Sequence, residues 1–285
     1  MKRERRLLPR EFAVYHALGN DYIAIDMPRF GQRLTRANVR KLCDRHTGVG
    51  GDGILARVPS RRADFGLRIF NPDGSEAEMS GNGVRIFARF LRDFGYTRRS
   101  EFSIETPARV VRVKLSLRGD VVLKVRVDLG IASFHSGDVG ATGPGREMLR
   151  ELLELDTRKV EVTCVSVGNP HCVIFLDELR EIDLHEIGPQ VENHPRFRER
   201  INVQLARPRA RNKLDILVWE RGAGATLASG SSACAAAAAA HRLGLVDEQV
   251  QVTMPGGRLS VHVHPDYRID LLGSCTPIFR GRLLG

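Results

Sequence analysis

Two serines stand where the sequence predicts that a loop turns into a helix. Ser80 and the glycine after it precede an apolar helical pattern at residues 84–91, and Ser229 and its glycine precede an alanine-rich pattern at residues 233–240. A helix N-terminus presents unpaired N–H groups and the positive end of the helix dipole, and it therefore attracts a carboxylate or a phosphate. Two such termini facing one cavity could hold a small dianionic molecule and act on it from both sides.

Each predicted junction is entered from a strand and left through a helix. Residues 64–70 and 214–219 have the pattern of the entering strands, and Gly95 and Gly244 stand where the two helices should end. The alanine-rich helix has too little polar surface for a solvent-exposed face, so a sheet should wrap closely around it. The sequence therefore predicts an α+β fold of two similar halves, each a strongly curved, mainly antiparallel sheet around a central helix.

A glycine-rich segment at residues 136–145 lacks periodicity and is the best candidate for a domain boundary. Beyond it, residues 146–155 predict a short helix and residues 183–191 a second one. The remaining apolar runs are short and have the spacing of strands.

Composition limits the class of protein. With 285 residues, 42% of them hydrophobic, the chain can form two modest domains with true cores. It contains no apolar run of the roughly 18 residues that a membrane span needs. Residues 1–10 are basic but lack the hydrophobic core of a secretion signal, so we expect a cytoplasmic protein that does not bind membranes.

The net charge of +10 suggests nucleic-acid binding as an alternative. The basic residues are scattered among acidic ones and are not interleaved with aromatic residues, so we expect no nucleic-acid partner. The five cysteines include no C-x-x-C pair, and the nine histidines show no H-E-x-x-H spacing, so we expect no metal. The excess charge is typical of a solvated surface that also attracts anionic substrates.

Residues 48–53 match the G-x-G-x-x-G pattern of dinucleotide-binding sites. In such sites the glycines follow a strand and open a helix, whereas here they follow a helical pattern and lead into a predicted strand at residues 54–58. We interpret the segment as a glycine-rich turn, which is compatible with Gly53 forming part of an active-site wall.

Six segments in this order resemble the diaminopimelate epimerase family. They are Gly19-Asn20-Asp21, residues 48–53, residues 71–82, Gly168-Asn169-Pro170-His171, Ile201-Asn202-Val203 and Glu220-Arg221-Gly222-Ala223-Gly224. The resemblance implies a cofactor-free, homodimeric epimerase with an N-terminal domain of residues 1–134 plus 275–285 and a C-terminal domain of residues 135–274. It places the active site in the cleft between these domains.

The resemblance also implies roles for single residues. The family uses two opposed cysteines, one to take the α-proton and one to deliver a proton to the opposite face, and their positions are occupied here by Ser80 and Ser229. It assigns substrate contacts to Asn20, Gly53, Asn71, Asn169 and Asn202, and backbone contacts with the reacting carboxylate to Gly81, Asn82, Gly230 and Ser231. Glu220 and Arg221 would bind the remote end of the substrate, with Glu220 also near the reacting ammonium, and His171 would orient the acid–base pair.

The two serines are the departure that matters. A thiol has a pKa near about 8.5 and a helix terminus can lower it further, whereas an alkoxide is far harder to generate. The flanking sequence offers no obvious activator. Two further departures are Ala225, where the family usually has Glu, and Ser232, where it usually has Gly.

Three functions remain open at this point. The first is epimerisation of LL-diaminopimelate to meso-diaminopimelate, a precursor of lysine and peptidoglycan, by an enzyme that is slow or inactive because of the serines. The second is isomerisation or epimerisation of another amino or carboxylic acid, with His171 or Glu220 as the base. The third is non-catalytic binding of a small molecule.

Structural roles could also explain each candidate residue. Serine commonly caps helices, and asparagine commonly satisfies its own backbone in turns. Glu220 and Arg221 could form a surface ion pair, and His171 could be a core histidine with satisfied hydrogen bonds.

Overall fold

The computed structural model describes residues 6–156 and 158–284. Its first compact unit comprises Met1–Val127 and Leu272–Gly285, and its second comprises Asp128–Leu271. The glycine-rich segment at residues 136–145 lies inside the second unit. Part of the basic segment at residues 1–10, on which the localisation prediction depends, lies outside the described residues.

Strands outnumber helices along the described chain. Up to residue 131 the elements are β1 (Glu11–Ala17), β2 (Asn20–Asp26), α1 (Met27–Phe30), α2 (Arg36–Cys43), β3 (Ile54–Val58), β4 (Phe65–Phe70), β5 (Glu76–Ala77), α3 (Gly81–Asp93), β6 (Glu101–Glu105), β7 (Val110–Arg118) and β8 (Val121–Ile131). From residue 151 they are β9 (Glu151–Glu154), β10 (Lys159–Ser166), β11 (Pro170–Phe175), α4 (Glu181–Glu192), β12 (Asn202–Ala210), β13 (Lys213–Glu220), β14 (Gly224–Thr226), α5 (Gly230–Arg242), β15 (Gln249–Met254), β16 (Gly257–Val263), β17 (Arg268–Gly273) and β18 (Thr276–Arg282).

In the first unit a mixed sheet surrounds α3. Its strand order is β18-β1-β2-β3-β4-β6-β7-β8, and β5 pairs with β4. The β2–β3 and β4–β6 pairs are parallel and the others are antiparallel. Helix α3 contacts β1, β2 and β7 and is buried along nearly its whole length.

The second unit repeats this order of pairings around α5. Its strands follow the order β9-β10-β11-β12-β13-β15-β16, with β14 on β13, and the β11–β12 and β13–β15 pairs are parallel. Helix α5 contacts β10 to β13, β15 and β16. The predicted α+β fold of two similar halves, each a mainly antiparallel sheet around a central helix, is therefore confirmed.

The composition of α5 explains how closely the sheet approaches it. The side chains at residues 233–240 are all buried, seven of them being methyl groups and one the Cys234 thiol. Because alanine side chains are short, strands can pack around the helix on several sides without a solvent-exposed face. Cys234 is therefore a small core residue, and all five cysteines are buried thiols.

Both central helices end at the glycines that the sequence indicated. Gly95 has a φ of 65° and Gly244 a φ of 71°, in the left-handed region that favours glycine after a helix. The next residue closes the last turn in each case, with Tyr96 N–H donating to Leu91 O and Leu245 N–H donating to Ala240 O, both at 2.9 Å.

The predicted helix at residues 146–155 is wrong. The segment instead contains β9, which pairs antiparallel with β10. Of the adjacent leucines in this segment, Leu153 is buried whereas Leu152 is 63% exposed, an alternation that suits the edge of a sheet. Strand pairing has overridden the intrinsic preference of leucine for helices. The helix predicted at residues 183–191 is confirmed as α4.

Residues 48–53 form a turn that closes α2 and leads into β3. The N–H groups of Val49 and Gly50 donate to the carbonyl of Leu42, at 2.9 and 3.0 Å. The structure thus confirms the order helix, glycine turn and strand, which is the reverse of a dinucleotide-binding junction. Throughout the described ranges, no helix is both long and apolar enough to cross a membrane.

Candidate active site

Ser80 caps the N-terminus of α3. Its backbone is extended, with φ −146° and ψ 119°, and its Oγ accepts a hydrogen bond of 3.0 Å from Gly83 N–H. The first N–H groups of a helix have no acceptor within the helix, so the cap leaves Gly81 and Asn82 at a terminus with the electrostatics of an anion site. The role of helix cap and the role of site residue are compatible at this position.

The Tyr22 phenol is a side-chain neighbour of the Ser80 hydroxyl. The two oxygens are 3.3 Å apart and either could be the donor. Gly53 makes this approach possible, because a Cβ on Gly53 would lie 2.8 Å from the Tyr22 ring and 2.4 Å from Phe70 O. The absence of a side chain at Gly53, which has a φ of 156°, therefore allows the Tyr22 ring to lie beside Ser80.

A chain of hydrogen bonds joins the predicted site residues Asn82 and Asn20. Buried Arg85 donates to Asn82 Oδ1 at 2.7 Å, Asn82 Nδ2 donates to Asn20 Oδ1 at 3.3 Å, and Asn20 Nδ2 donates to Asp52 Oδ2 at 2.9 Å. Arg45 in turn donates to Asp52 at 2.8 Å. The charged groups at the two ends fix the orientation of both side-chain amides.

Asn71 lies in the turn between β4 and β5. Its N–H and its Nδ2 both donate to Ser75, to the carbonyl and to Oγ respectively, each at 2.9 Å. The amide nitrogen of Asn71 therefore stabilises the turn that leads to the first junction.

In the second unit Ser229 caps α5 in the same way. Its backbone is extended, with φ −139° and ψ 129°, and its Oγ lies 3.5 Å from Ser232 N and 3.4 Å from Ser231 Oγ. Ser229 is buried, being 8% exposed. Gly230 and Ser231 occupy the first turn and present the same kind of helix terminus as their counterparts in α3.

Glu220 lies beside Ser229 at the end of β13. Its carboxylate accepts a hydrogen bond of 3.3 Å from Thr226 Oγ1, and the Ser229 hydroxyl lies close enough to favour its ionised form. Burial raises the pKa of Glu220, and the Ser229 and Thr226 hydroxyls offset part of that rise. The second junction therefore combines a hydroxyl with a carboxylate that is more basic than usual.

His171 is fully buried and begins a polar path towards α5. Its Nε2 lies 3.0 Å from Asn169 Oδ1. Gln204 adjoins the ring and donates through Nε2 to Ser232 Oγ at 3.0 Å. Burial lowers the pKa of His171 to about 3, with the charge of Arg221 acting in the same direction and the Gln204 amide opposing it. The imidazole is therefore neutral near pH 7 and can orient its neighbours without adding a charge.

Glu192 fixes the loop that carries Glu220 and Arg221. This buried carboxylate accepts hydrogen bonds from Trp219 Nε1 at 2.7 Å, Gly222 N–H at 2.8 Å and Arg200 at 3.1 Å. The three donors occupy both carboxylate oxygens and hold the two ends of the loop.

Asn202 fixes the same loop from another side. Its Nδ2 donates to Pro170 O at 2.8 Å, and its Oδ1 accepts from Arg221 N–H at 3.0 Å. The Arg221 guanidinium donates to Glu199 O at 3.0 Å. Asn202 therefore ties the strand that starts with Pro170 to the loop of Arg221.

Within each unit the structure gathers most of the predicted residues at a helix terminus. The first unit brings together Asn20, Gly53, Ser80, Gly81 and Asn82, and leaves Asn71 in its turn. The second brings Glu220, Ser229, Gly230 and Ser231 together, joins Asn202 to Arg221, and joins Asn169 to His171.

Sequence reasoning missed several polar residues that support the site. They are Tyr22, Asp52, Arg85, Glu192 and Gln204. The one local signal was Arg85, a charge within the apolar pattern of α3 that ends up fully buried. The others depend on partners that lie distant in sequence.

The repeated unit and its capped helix terminus define the class of protein. It has the fold of amino-acid epimerases, as a solved hydroxyproline epimerase from Agrobacterium vitis shows. That structure has a TM-score of 0.70 and 13% identity, covering 96% of this chain and 90% of the other. At this identity the likeness shows the fold alone.

Sequence comparison defines the family. The family profile for diaminopimelate epimerase matches residues 12–135 and 163–274. "Diaminopimelate epimerase 2" of Nostoc sp. is 44% identical over 96% of this chain and 95% of its own length. Diaminopimelate epimerase of Desulfitobacterium hafniense is 40% identical over 96% and 98%. The chain belongs to the diaminopimelate epimerase family.

Proposed function

We propose that this protein epimerises LL-diaminopimelate to meso-diaminopimelate without a cofactor, and that Ser80 and Ser229 occupy the two acid–base positions. The observation that carries the proposal is the pair of serine-capped helix termini, one in each unit, in a chain 44% identical to a diaminopimelate epimerase. Lysine and peptidoglycan synthesis would consume the product.

The chemistry requires stabilisation of negative charge. Removing the α-proton of an amino acid moves electron density onto its carboxylate. N–H groups held at a helix terminus stabilise that charge without reorganisation during the reaction. In our proposal the backbone at Gly81, Asn82, Gly230 and Ser231 supplies this stabilisation.

Epimerisation also requires one group that removes a proton and one that returns a proton to the opposite face. We assign these roles to Ser80 and Ser229. The Glu220 carboxylate adjoins the Ser229 hydroxyl, and the raised pKa of this carboxylate suits it as the acceptor of the hydroxyl proton. The hydroxyl neighbour of Ser80 is the Tyr22 phenol, a weaker activator, so we expect slow turnover limited at the first junction.

Restoring the thiols tests the assignment. The doubly substituted Ser80→Cys, Ser229→Cys protein should exchange the α-proton of diaminopimelate with deuterium at least about 100-fold faster, since each thiolate is a far better base than a hydroxyl. The measurement is deuterium incorporation by mass spectrometry in heavy water. Ser116→Cys, which adds a thiol on an exposed part of β7, is the control and should give no gain.

A second candidate function is epimerisation or isomerisation of another amino or carboxylic acid with Glu220 as the base. The contact between Glu220 and Ser229, together with the raised pKa of the carboxylate, favours it. Deuterium exchange across a panel of amino acids separates the two functions. Exchange confined to a different acid, with no binding of diaminopimelate, would support the second and refute the first. Tight binding without exchange, even with both thiols restored, would indicate a binding protein.

A further inference from the structure

Two histidines and an aspartate converge on the outer face of the second unit. His262 lies on β16, His264 directly follows that strand, and Asp270 lies on β17. Residues two apart on a strand point to the same side. Because Val261 and Val263 are buried, His262 and His264 both project from the opposite, more accessible face.

The nitrogen and oxygen atoms of this cluster are close enough to share one ion. One donor atom from each of the three side chains lies within 4.8 Å of the others. The two imidazole centroids are 4.0 Å apart, and His264 Nε2 is 3.0 Å from Asp270 Oδ2. A fourth group, the Glu248 carboxylate, lies 3.8 Å from His262 Nε2.

The backbone holds these side chains in place. A turn reverses the chain directly after His264, with His264 N–H donating to Arg268 O at 2.9 Å and Tyr267 N–H donating to His264 O at 2.8 Å. Val263 N–H donates to Glu248 O at 2.8 Å, which fixes the backbone of Glu248 beside β16. All four side chains therefore lie on short segments whose backbones are fixed by hydrogen bonds.

We propose that His262, His264, Asp270 and Glu248 form a binding site for one divalent transition-metal ion, with Zn²⁺ as the ion of choice. Two imidazoles and two carboxylates suit Zn²⁺ and its neighbours, whereas Mg²⁺ and Ca²⁺ prefer oxygen alone. The sequence contains no contiguous metal-binding motif at this cluster, because Glu248 and Asp270 come from segments on either side of the histidines.

Small side-chain movements would bring these groups to coordination distance. Ligand bonds of about 2.0–2.2 Å around a tetrahedral ion place the donor atoms about 3.4 Å apart, so the separations among His262, His264 and Asp270 must shrink by at most roughly 1.4 Å, and the Glu248 carboxylate must turn towards them. His262, His264 and Asp270 have exposed side-chain fractions of 29%, 20% and 14%, which leaves access for the ion but partly shields it from water. A bound ion would join the segment before β15 to β16 and β17.

Metal titration of the full chain tests the site. The tag-free protein, first treated with a chelator, is titrated with Zn²⁺ by calorimetry near pH 7.5. One ion should bind per chain, and His264→Gln and Asp270→Asn should each weaken binding by at least about tenfold. His46→Gln, which removes an exposed histidine outside the cluster, is the matched control and should leave affinity unchanged.

Two further readouts separate this site from adventitious binding. Co²⁺ should give d–d absorption in the visible without the near-ultraviolet band of thiolate charge transfer, since the five cysteines are buried elsewhere. Zn²⁺ should raise the melting temperature of the parent and of His46→Gln but not that of His262→Gln. Binding that survives in His264→Gln and Asp270→Asn, that needs millimolar metal, or that shows thiolate ligation overturns the proposal. So does a melting temperature that Zn²⁺ leaves unchanged in the parent.

Discussion

At the scale of single residues, the two capping serines differ in the groups beside them. Ser80 contacts the phenol of Tyr22, whereas Ser229 adjoins the carboxylate of Glu220. A hydroxyl that donates to a carboxylate can lose its proton in concert with attack on a carbon acid, and a hydroxyl beside a phenol has no such acceptor. The halves are similar in fold but unequal in chemistry.

Replacing Glu220 by glutamine tests whether this inequality matters. Glu220→Gln keeps the size of the side chain and removes the acceptor, so deuterium exchange at the substrate α-carbon should fall at least about 100-fold. Because burial raises the pKa of Glu220, exchange by the unsubstituted protein should increase with pH as this carboxyl ionises. That acid limb should disappear in Glu220→Gln. The check is the pH dependence of exchange in both proteins.

Glu220→Gln should lose activity without losing stability towards unfolding. A carboxyl whose pKa is raised by folding holds its proton more tightly when folded, so it favours unfolding as the pH rises through the raised pKa. Glu220→Gln should therefore unfold at the same or higher urea concentration near pH 7. A variant that is both inactive and much less stable would instead assign Glu220 a structural role.

The candidate residues were predictable to the extent that they lie on short motifs. Ser80, Ser229 and their glycines are recognisable because a cap and a helix start are local in sequence. The role of Gly53 was not predictable in detail, because its neighbours Tyr22 and Phe70 approach it through tertiary folding. The contact of Glu220 with Ser229 depends on how β13 and β14 pair, which no local pattern specifies.

At the scale of elements, the loop between β13 and β14 depends on a helix that precedes it by many residues. Glu192, the last residue of α4, receives Trp219, Gly222 and Arg200. The α4 helix approaches β13 closely, because a Cβ on Gly188 would lie 2.7 Å from the Trp219 ring. Helix α4 thus positions the loop that carries Glu220 and Arg221.

Removing the Glu192 carboxylate should loosen that loop. Glu192→Ala leaves the partly buried Trp219 indole N–H and the Gly222 N–H without their buried acceptor, which should lower the free energy of unfolding by about 1–2 kcal/mol. The KM for diaminopimelate should rise more than kcat falls, because the resemblance to the family predicts that Glu220 and Arg221 bind the remote end of the substrate. Urea unfolding and steady-state kinetics measure both effects.

Glu199→Gln is the control for this position. Glu199 is an exposed acid whose backbone carbonyl, not its side chain, accepts from Arg221. It should leave stability and KM unchanged. Equal effects of Glu192→Ala and Glu199→Gln would refute a positioning role and indicate a general response to lost negative charge.

Element prediction succeeded where the pattern was long and failed where it was short. Helices α3 and α5 combine a cap, a periodic apolar segment and a terminating glycine, so three signals agree. The short strands β5 and β14 were not predicted, and neither was the single turn of α1, since each has few residues and owes its conformation to neighbouring strands. The same limit explains why β9 was mistaken for a helix.

At the scale of the whole molecule, the repeated order of strand pairings is the feature that sequence alone could only suggest. Each unit contains two parallel pairs in matching positions, β2–β3 and β4–β6 in the first, β11–β12 and β13–β15 in the second. Each parallel pair requires a crossover, and α3 and α5 provide it for the second pair of each unit. A helix in that connection is enclosed by its own sheet, which explains why α5 tolerates so many alanines.

The acid stability of the whole chain should depend strongly on His171. This imidazole has a pKa lowered by burial to about 3, against 6.5 for the ordinary side chain. Between these values the unfolded chain binds a proton that the folded chain excludes, so stability is lost as the pH falls below about 6.5. From pH 6.5 to pH 5 the loss should be about 2 kcal/mol, because one pKa unit corresponds to about 1.4 kcal/mol.

His171→Gln isolates this contribution, since glutamine does not titrate. Urea unfolding of both proteins at pH 7 and pH 5 gives the difference in slope. His194→Gln is the matched control, because His194 is only partly buried and hydrogen-bonds the Glu154 carbonyl instead of lying in the core. We expect the control to keep the pH dependence of the parent and His171→Gln to lose about 2 kcal/mol of it. An unchanged dependence in His171→Gln would mean that the imidazole is hydrated or charged in the folded state, and its proposed orienting role would then need another physical basis.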